Sequence, residues 1–318
     1  MTVQPLFETT GERIGSMLVF EDITAEQRVR TTMARYMSKE VVDQLLTADE
    51  SVLGGATQVV SILFSDIRGF TTLSEGLDAR DTVNLLNDYF AEMVEIVIDH
   101  AGILDKYIGD AIMALFGAPF GKPDDADRAL AVANDMMVAL RSLNRRFQNQ
   151  GRPTLKIGVG VATGDVVVGN IGSPLRMEYT VMGDRVNIAS RLEGANKYYH
   201  TGILLDEATV KALKTQTLLR EIDLLRVKGK DRPVAVYEAL AYHDSLSFPS
   251  MIEVLAAFNQ GLQEYRKGNW PAAIKPFKTA LQLNPQDGPS AVYLERCRFY
   301  SKTPPPADWD GVWVMMDK

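Results

Sequence analysis

The sequence has few of the residues that mark secreted, membrane-spanning or metal-chelating proteins. A single cysteine, Cys297, among 318 residues excludes an intramolecular disulfide and suits a reducing compartment. No apolar run approaches the roughly 18 residues of a membrane span, and no basic stretch followed by an apolar one predicts a signal peptide. His100, His200 and His243 lack metal-ligand spacing. We therefore expect a cytoplasmic protein without a membrane span in this chain.

Positive charge is also scarce. Lysine and arginine number 34 against 41 aspartates and glutamates, which gives a net charge of −7, so no nucleic-acid partner is expected. Hydrophobic residues make up 46% and charged residues 24% of the chain, as in ordinary globular proteins. An acidic chain that binds an anionic substrate needs metal ions or a few placed cations, so this balance remains compatible with a nucleotide site.

Two aspartates lie where apolar, strand-forming runs stop. Asp66 follows the run 59–64, and Asp110 lies between the apolar runs 103–108 and 111–116. A carboxylate at the end of a buried strand is costly unless its charge is compensated. Carboxylates at two neighbouring strand ends suit a pair of Mg²⁺ or Mn²⁺ ions. The two aspartates therefore predict metal-assisted chemistry on a phosphate.

Hydrophobic periodicity predicts an α+β unit over 57–242. Several of its strands are joined by tight turns, which favours a mixed α+β sandwich over a doubly wound sheet. The apolar face of the first long helix is predicted to include Val83, Tyr89 and Met93. The predicted strands are 58–65, a hairpin over 102–116, 155–162, 165–170, 202–205, 217–227 and 233–240, and the predicted helices are 79–100, 123–149, 184–199 and 206–213.

The flanking segments predict smaller units. Residues 1–24 contain a strand-like run, 15–20, that resembles the last strand of a PAS sensor domain, and 25–56 predicts a helical signalling connector. Residues 250–300 match the spacing of tetratricopeptide helices, over 251–283 and again from 291. One such repeat cannot bury its own face, so it must pack on the core or on a partner. The tail 301–318 carries prolines and two tryptophans, Trp309 and Trp313, that are expected to anchor it.

Four motifs follow one another along the α+β unit: FSDIRGF at 64–70, KYIGD at 106–110, GDRVNIASRLE at 183–193 and VKGK at 227–230. In this order and spacing they resemble the catalytic domain of class III nucleotidyl cyclases, as found in bacterial and cyanobacterial adenylate cyclases. The resemblance covers about 57–242. It implies a ferredoxin-like, palm-type α+β fold with a helical connector before it and a helical repeat after it.

The resemblance implies one set of residues for metal and phosphate. Asp66, Asp110 and the carbonyl of Ile67 match the ligands of two Mg²⁺ or Mn²⁺ ions. One ion would lower the pKa of the ribose 3′-hydroxyl, and the other would neutralise the triphosphate. Gly69 and Phe70 lie in the turn 67–71, whose backbone N–H groups would bind phosphate oxygens.

A second set matches residues that read and orient the nucleotide. Lys106 matches the lysine that donates to adenine N1, and Thr180 matches its partner at the exocyclic amine. Asn187 matches the residue that orients the ribose. Arg191 matches the one that stabilises charge on the α-phosphate in the transition state. Lys228 matches a lysine that binds the triphosphate.

In this family the site spans a dimer interface, which implies a twofold homodimer with two equivalent sites. One protomer would supply Asp66 and Asp110, and the other Lys106, Thr180, Asn187 and Arg191. An upstream sensor in a longer chain would act through the connector, and a protein partner could bind the C-terminal repeat.

These inferences predict an adenylate cyclase that converts ATP to 3′,5′-cyclic AMP and pyrophosphate. A guanylate cyclase is disfavoured by Lys106 and Thr180, since such enzymes usually carry Glu and a small residue or Cys there. A catalytically inactive, cyclase-like interaction module is a further alternative, against which the complete residue set argues. A diguanylate cyclase is disfavoured because its Gly-Gly-Asp-Glu-Phe turn is absent.

Overall fold

A mixed sheet of eight strands forms the centre of the computed structural model, which describes residues 2–9, 11–19, 22, 55–173, 175–225, 233–306 and 309–312. The strands are β3 (Ala56–Ile67), β4 (Ile103–Ile108), β5 (Ala111–Phe116), β6 (Ile157–Ser173), β7 (Arg176–Met182), β8 (Ile203–Asp206), β9 (Leu219–Leu225) and β10 (Val234–Ala239). Their order in the sheet is β4–β5–β3–β6–β8–β10–β9, and β7 pairs with β6. The β6–β8 pair is parallel and the other pairs are antiparallel.

Helices cover both faces of this sheet, which confirms the predicted α+β architecture. On one face, α2 (Ala79–Asp99) and α3 (Asp125–Asn149) pack through side chains such as Tyr89 and Phe147. On the other face, α4 (Asp184–Tyr199) packs through Ile188 and Leu192. Two short helices, α1 (Phe70–Glu75) and α5 (Glu207–Ala212), complete this part of the chain.

The structure corrects several details of the α+β unit. The strands predicted at 155–162 and 165–170 form one continuous strand, β6, because β3 pairs with it from Ile157 through Gly164 to Val168. Gly164, which lies between the two predicted strands, pairs with Val60 inside this ladder. Neither β7 nor α1 was predicted, and Val83 lies on the exposed side of α2, with 54% of its surface accessible.

The N-terminal segment also differs from the prediction. The strand expected at 15–20 is β2 (Arg13–Val19), and it pairs antiparallel with β1 (Thr2–Phe7), which was not predicted. Of the predicted connector, 25–54 lies outside the described residues. The relation of the first 24 residues to a PAS domain stays a prediction.

The predicted C-terminal helical region is present as α6 (Met251–Arg266), α7 (Trp270–Leu283) and α8 (Gly288–Lys302). Its buried side chains include Phe258, Tyr265, Phe277 and Tyr293. Trp309 packs against Tyr265, as the predicted anchor requires, whereas Trp313 lies outside the described residues. The assignment of these helices to a tetratricopeptide repeat stays a prediction. Across the described ranges, no helix has the length and apolar character needed to span a membrane.

Candidate active site

The β4–β5 hairpin brings Asp110 beside Asp66. Antiparallel pairing of β3 with β5 ends at Ser65 opposite Ile112, so that the next residue of each strand leads to Asp66 and the hairpin turn. Gly109, with a φ of 65°, makes this turn in a conformation that L side chains rarely adopt. The two carboxyl groups lie within hydrogen-bonding reach of each other. The structure therefore joins the two aspartates that the sequence singled out.

The electrostatics of this pair favour a bound cation. Burial, followed by the hydrogen bond and negative charge of Asp110, raises the pKa of Asp66 to about 6. The N–H group of Ile67 opposes this by donating to Asp66 Oδ1 at 3.0 Å. Glu193 of α4 adds to the negative potential. Its own pKa is raised to about 7 by burial first and then by Asp66, while Arg68 lowers it and Asp110 raises it.

The donor set fits divalent metal ions that also bind a nucleotide. No group of three or more His, Cys, Asp or Glu side chains suited to a metal occurs in the described part of the chain. Mg²⁺ commonly uses only one or two carboxylates and takes its remaining ligands from water and substrate phosphates. Two facing carboxylates, Asp66 and Asp110, with the carbonyl of Ile67 at the strand end, match that incomplete protein shell.

The turn after β3 has less backbone available for phosphate than predicted. The N–H group of Arg68 donates to the Lys156 carbonyl at 2.8 Å, so the N–H groups that remain for a phosphate follow it. Gly69 caps α1 with a φ of 67°, and Phe70 begins that helix and packs on the hydrophobic core. The guanidinium of Arg68 donates to the Thr201 carbonyl, away from the turn.

Lys106 and Thr180 come together in the same chain. Thr180 on β7 is buried, and its hydroxyl donates to Asp105 Oδ2 at 3.0 Å. Lys106 Nζ lies 3.6 Å from the same oxygen and 2.8 Å from Glu178 Oε2. The bond to Glu178 is the main reason that the pKa of Lys106 is raised. These side chains form one polar cluster, although β4 and β7 are not paired strands.

Helix α4 presents Asn187 and Arg191 on its exposed side, four residues apart. The helix lies close to β6 because Gly160 has no side chain. A Cβ atom there would overlap the backbone of Ala189 and Glu193. Within the described ranges, no hydrogen bond or ion pair joins Asn187 or Arg191 to Asp66 or Asp110. Lys228 lies outside the described residues.

The predicted site residues thus fall into two clusters and one exposed pair. The first cluster joins Asp66 and Asp110, and the second joins Lys106 and Thr180. Sequence reasoning missed three acidic residues of these clusters, which are Asp105, Glu178 and Glu193. Glu193 lay inside a matched motif, whereas a lone Asp before Lys106 carries no signal of its burial.

Comparison with known proteins identifies the family of this domain. The family described as "Adenylate and Guanylate cyclase catalytic domain" matches residues 54–238, which contain both clusters and α4. The chain belongs to this cyclase family. An adenylate cyclase from Anabaena cylindrica is 41% identical over 193 residues, covering 58% of this chain and 38% of that protein.

Two solved cyclase structures resemble the catalytic domain. The adenylyl cyclase CyaB from P. aeruginosa is 36% identical with a TM-score of 0.55, covering 58% of this chain and 95% of its own. The guanylyl cyclase Cya2 is 39% identical with a TM-score of 0.54, covering 58% and 93%. An adenylyl cyclase and a guanylyl cyclase are therefore both similar to this cyclase domain.

The chain is short beside its curated relatives. It spans between 11% and 38% of the length of the first three adenylate cyclases that it matches. The similarity thus covers only one part of each of those longer proteins.

Proposed function

We propose that this cyclase acts on ATP and forms 3′,5′-cyclic AMP and pyrophosphate. The observation that carries the proposal is the cluster of Lys106 and Thr180, with Lys106 Nζ and Thr180 Oγ1 both close to Asp105 Oδ2. An ammonium donor complements adenine N1, and a hydroxyl oxygen can accept from the exocyclic amine. Guanine carries a donor and an acceptor at the same two positions, in the opposite order.

The remaining site residues have matching roles. Asp66, Asp110 and the Ile67 carbonyl would hold two Mg²⁺ or Mn²⁺ ions, which when bound neutralise the triphosphate and acidify the ribose 3′-hydroxyl. The backbone N–H groups of Gly69 and Phe70, which follow Arg68 at the start of α1, would bind the phosphates. Asn187 orients the ribose. Arg191 stabilises the negative charge that develops on the α-phosphate, and Lys228 binds the triphosphate.

We infer that the active unit is a homodimer. Asn187 and Arg191 are exposed and not bonded to the aspartates of their own chain, as a site completed by a second copy requires. Exposed Tyr107, Ile108 and Met182 beside the nucleotide-reading cluster provide apolar surface for that contact.

The test is a paired assay of ATP and GTP with Mn²⁺ on the purified chain. We expect cyclic AMP as the main product, with little turnover of GTP. The matching variant is Lys106→Met, which keeps the length of the side chain but removes the donor to N1. It should raise the KM for ATP. Equal turnover of both nucleotides, or GTP turnover alone, would contradict the ATP assignment.

A guanylate cyclase is the second candidate, and the similarity to Cya2 favours it. It requires the Lys106 ammonium to face the N1–H group of guanine, which places a donor against a donor. The same paired assay separates the two candidates. An absence of turnover with either nucleotide would instead indicate an inactive interaction module.

Regulation is expected to reach the cyclase domain through the segment that precedes β3. We propose that an upstream sensor acts through the helical connector, and that a cytoplasmic protein partner can bind the C-terminal helices. A variant lacking residues 1–47 should show altered activity or dimerisation. Unchanged values of both would remove the support for a connector.

A further inference from the structure

Asp105 occupies an unusual position in β4. The pairing of β4 with β5 shifts between Leu104, opposite Ala114, and Lys106, opposite Met113, so Asp105 is the extra residue of a β-bulge. Bulges redirect side chains and are frequent beside active sites. Here the bulge turns the Asp105 side chain into the protein, where its exposed fraction is 0%, while the next residue, Lys106, keeps 34%.

The burial of Asp105 is unfavourable for the stability of the fold. Burial is the main reason that the pKa of its carboxyl group is raised, so keeping it charged has a cost. Its Oδ1 atom is buried without a hydrogen-bond partner in the described part of the chain. Its Oδ2 atom accepts from Thr180 and faces the Lys106 ammonium. The contacts that Asp105 does make are therefore to the two residues that would read the base.

The contact with Thr180 determines what Thr180 can offer to a base. A threonine hydroxyl has one proton and two lone pairs, and a carboxylate can only accept. Once the hydroxyl donates to Asp105 Oδ2, only its lone pairs remain for a ligand. Lys106 has three donors and no acceptor, so it can keep its bond to Glu178 and still donate to a ring nitrogen.

We propose that Asp105 is a positioning residue that sets the nucleotide specificity of the site, by accepting the Thr180 hydroxyl so that Thr180 meets the base as an acceptor only. The inference rests on the proposed ATP-binding function and adds a residue to it. The amine of adenine donates to Thr180, and adenine N1 accepts from Lys106. Guanine would place its O6 lone pairs against those of Thr180 and its N1–H against the ammonium, which leaves both contacts unpaired.

The test measures the ratio of kcat/KM for ATP to that for GTP in Asp105→Ala. Without its acceptor, the Thr180 hydroxyl can turn and donate to guanine O6, so we expect the ratio to fall by at least about tenfold. Asp105→Asn should retain most of the ratio, because its amide carbonyl can still accept from Thr180. Asp105→Leu, which fills the volume without an acceptor, serves if the alanine variant does not fold.

A double-mutant cycle separates this role from a structural one. In a Thr180→Val background, Asp105→Ala should change the ratio by less than about twofold, since its partner hydroxyl is already absent. Asp125→Ala is the matched control, because Asp125 is also a buried acid, paired with Arg128 on α3. It should lower stability and leave the ratio unchanged.

Binding provides a second readout that does not need turnover. Calorimetry with Mg²⁺ and the 3′-deoxy forms of ATP and GTP, which cannot cyclise, should show the same loss of selectivity in Asp105→Ala. If the wild-type chain turns over neither nucleotide but binds 3′-deoxy-ATP selectively, the proposed activity fails and the role of Asp105 stands. An unchanged ratio in Asp105→Ala, an effect that persists with Thr180→Val, or no selective binding by the wild-type chain would overturn the inference.

Discussion

At the scale of single residues, two facing aspartates are held in an arrangement that is unfavourable without a cation. Asp66 and Asp110 face each other at the ends of paired strands, and the raised pKa of Asp66, about 6, reflects burial and this neighbour. Metal ions and substrate would relieve the repulsion. The site therefore trades stability of the empty protein for affinity, as functional sites commonly do.

Asp66→Asn should stabilise the metal-free chain while abolishing its activity. We expect turnover to fall by at least about a hundredfold, since the substitution removes a negatively charged oxygen that would bind the metal ions. The amide removes one of the two facing charges at nearly constant volume, so the midpoint of thermal unfolding should rise by a few degrees at neutral pH. Scanning calorimetry with EDTA, together with the ATP assay, checks both effects.

The stability gained by Asp66→Asn should increase as the pH rises. The folded pKa of Asp66, about 6, lies above the ordinary aspartate value of 3.8, so the folded chain keeps a proton that the unfolded chain loses between these two pH values. The contribution of Asp66 to stability is then lost as the pH rises from about 4 through 6. The difference in unfolding midpoint between variant and wild type should widen over that range and level off above it. A difference that narrows with rising pH would contradict this reading.

At the scale of secondary-structure elements, the close contact between α4 and β6 positions Asn187 and Arg191. Gly160 on β6 lies against the helix backbone at Ala189 and Glu193. In addition, the Asn196 amide at the end of the helix donates to the Val159 carbonyl at 2.9 Å. These contacts connect the helix to β6, which also pairs with β3 and β7. Asp66 on β3, Thr180 on β7 and the exposed pair on α4 therefore all lie on elements that contact β6.

Gly160→Ala should displace α4 and reduce activity. The added methyl group meets backbone atoms that cannot move independently, and such overpacking costs about 1–3 kcal/mol or more. Denaturant unfolding and kcat for ATP measure the two effects. Gly194→Ala, on α4 itself, is the control, because a Cβ there meets no atom within 4 Å. It should stabilise the chain by up to about 1 kcal/mol, and equal losses in both variants would contradict the account.

The elements show which parts of the site were predictable. Asp66 and Asp110 could be placed at neighbouring strand ends because apolar runs with a Gly-Asp turn between them specify a hairpin. Asn187 and Arg191 could be placed on one face because helical spacing is regular. The contact between Thr180 and Asp105 could not be foreseen. It depends on a one-residue bulge in β4 and on two strands that are not neighbours in the sheet, and neither leaves a periodic signal.

At the scale of the whole molecule, the C-terminal helices are joined to the cyclase domain by buried ion pairs. Arg296 of α8 donates to Asp223 Oδ2 on β9 at 2.6 Å, and Tyr199 at the end of α4 donates to the same oxygen at 2.6 Å. Arg220 on β9 bonds to Glu238 and, at 2.7 Å, to Asp287. The C-terminal helices therefore pack on the cyclase domain, and their assignment to a helical repeat stays a prediction.

Arg296→Ala should strongly destabilise the whole chain. Removing one partner of a buried ion pair leaves Asp223 uncompensated, which typically costs about 3–5 kcal/mol. The matched control is Arg266→Ala, since Arg266 pairs with Glu221 on the same strand but both side chains are about a third exposed. That loss should stay within about 1 kcal/mol. Chemical denaturation of both variants gives the comparison, and similar small losses would show that the helices are not coupled to the domain.

Two copies of this chain are proposed to complete each nucleotide site. Asp66→Ala and Arg191→Ala should each be inactive, because each removes one half of both sites. Mixed under conditions of subunit exchange, half of the dimers carry one intact site, so about a quarter of wild-type activity should return. Asp66→Ala mixed with Asp110→Ala, which removes the same half twice, should show no recovery. Cyclic AMP formation in these two mixtures is the deciding measurement. Recovery in the first mixture alone is the predicted result, and no recovery despite proven exchange would contradict the shared site.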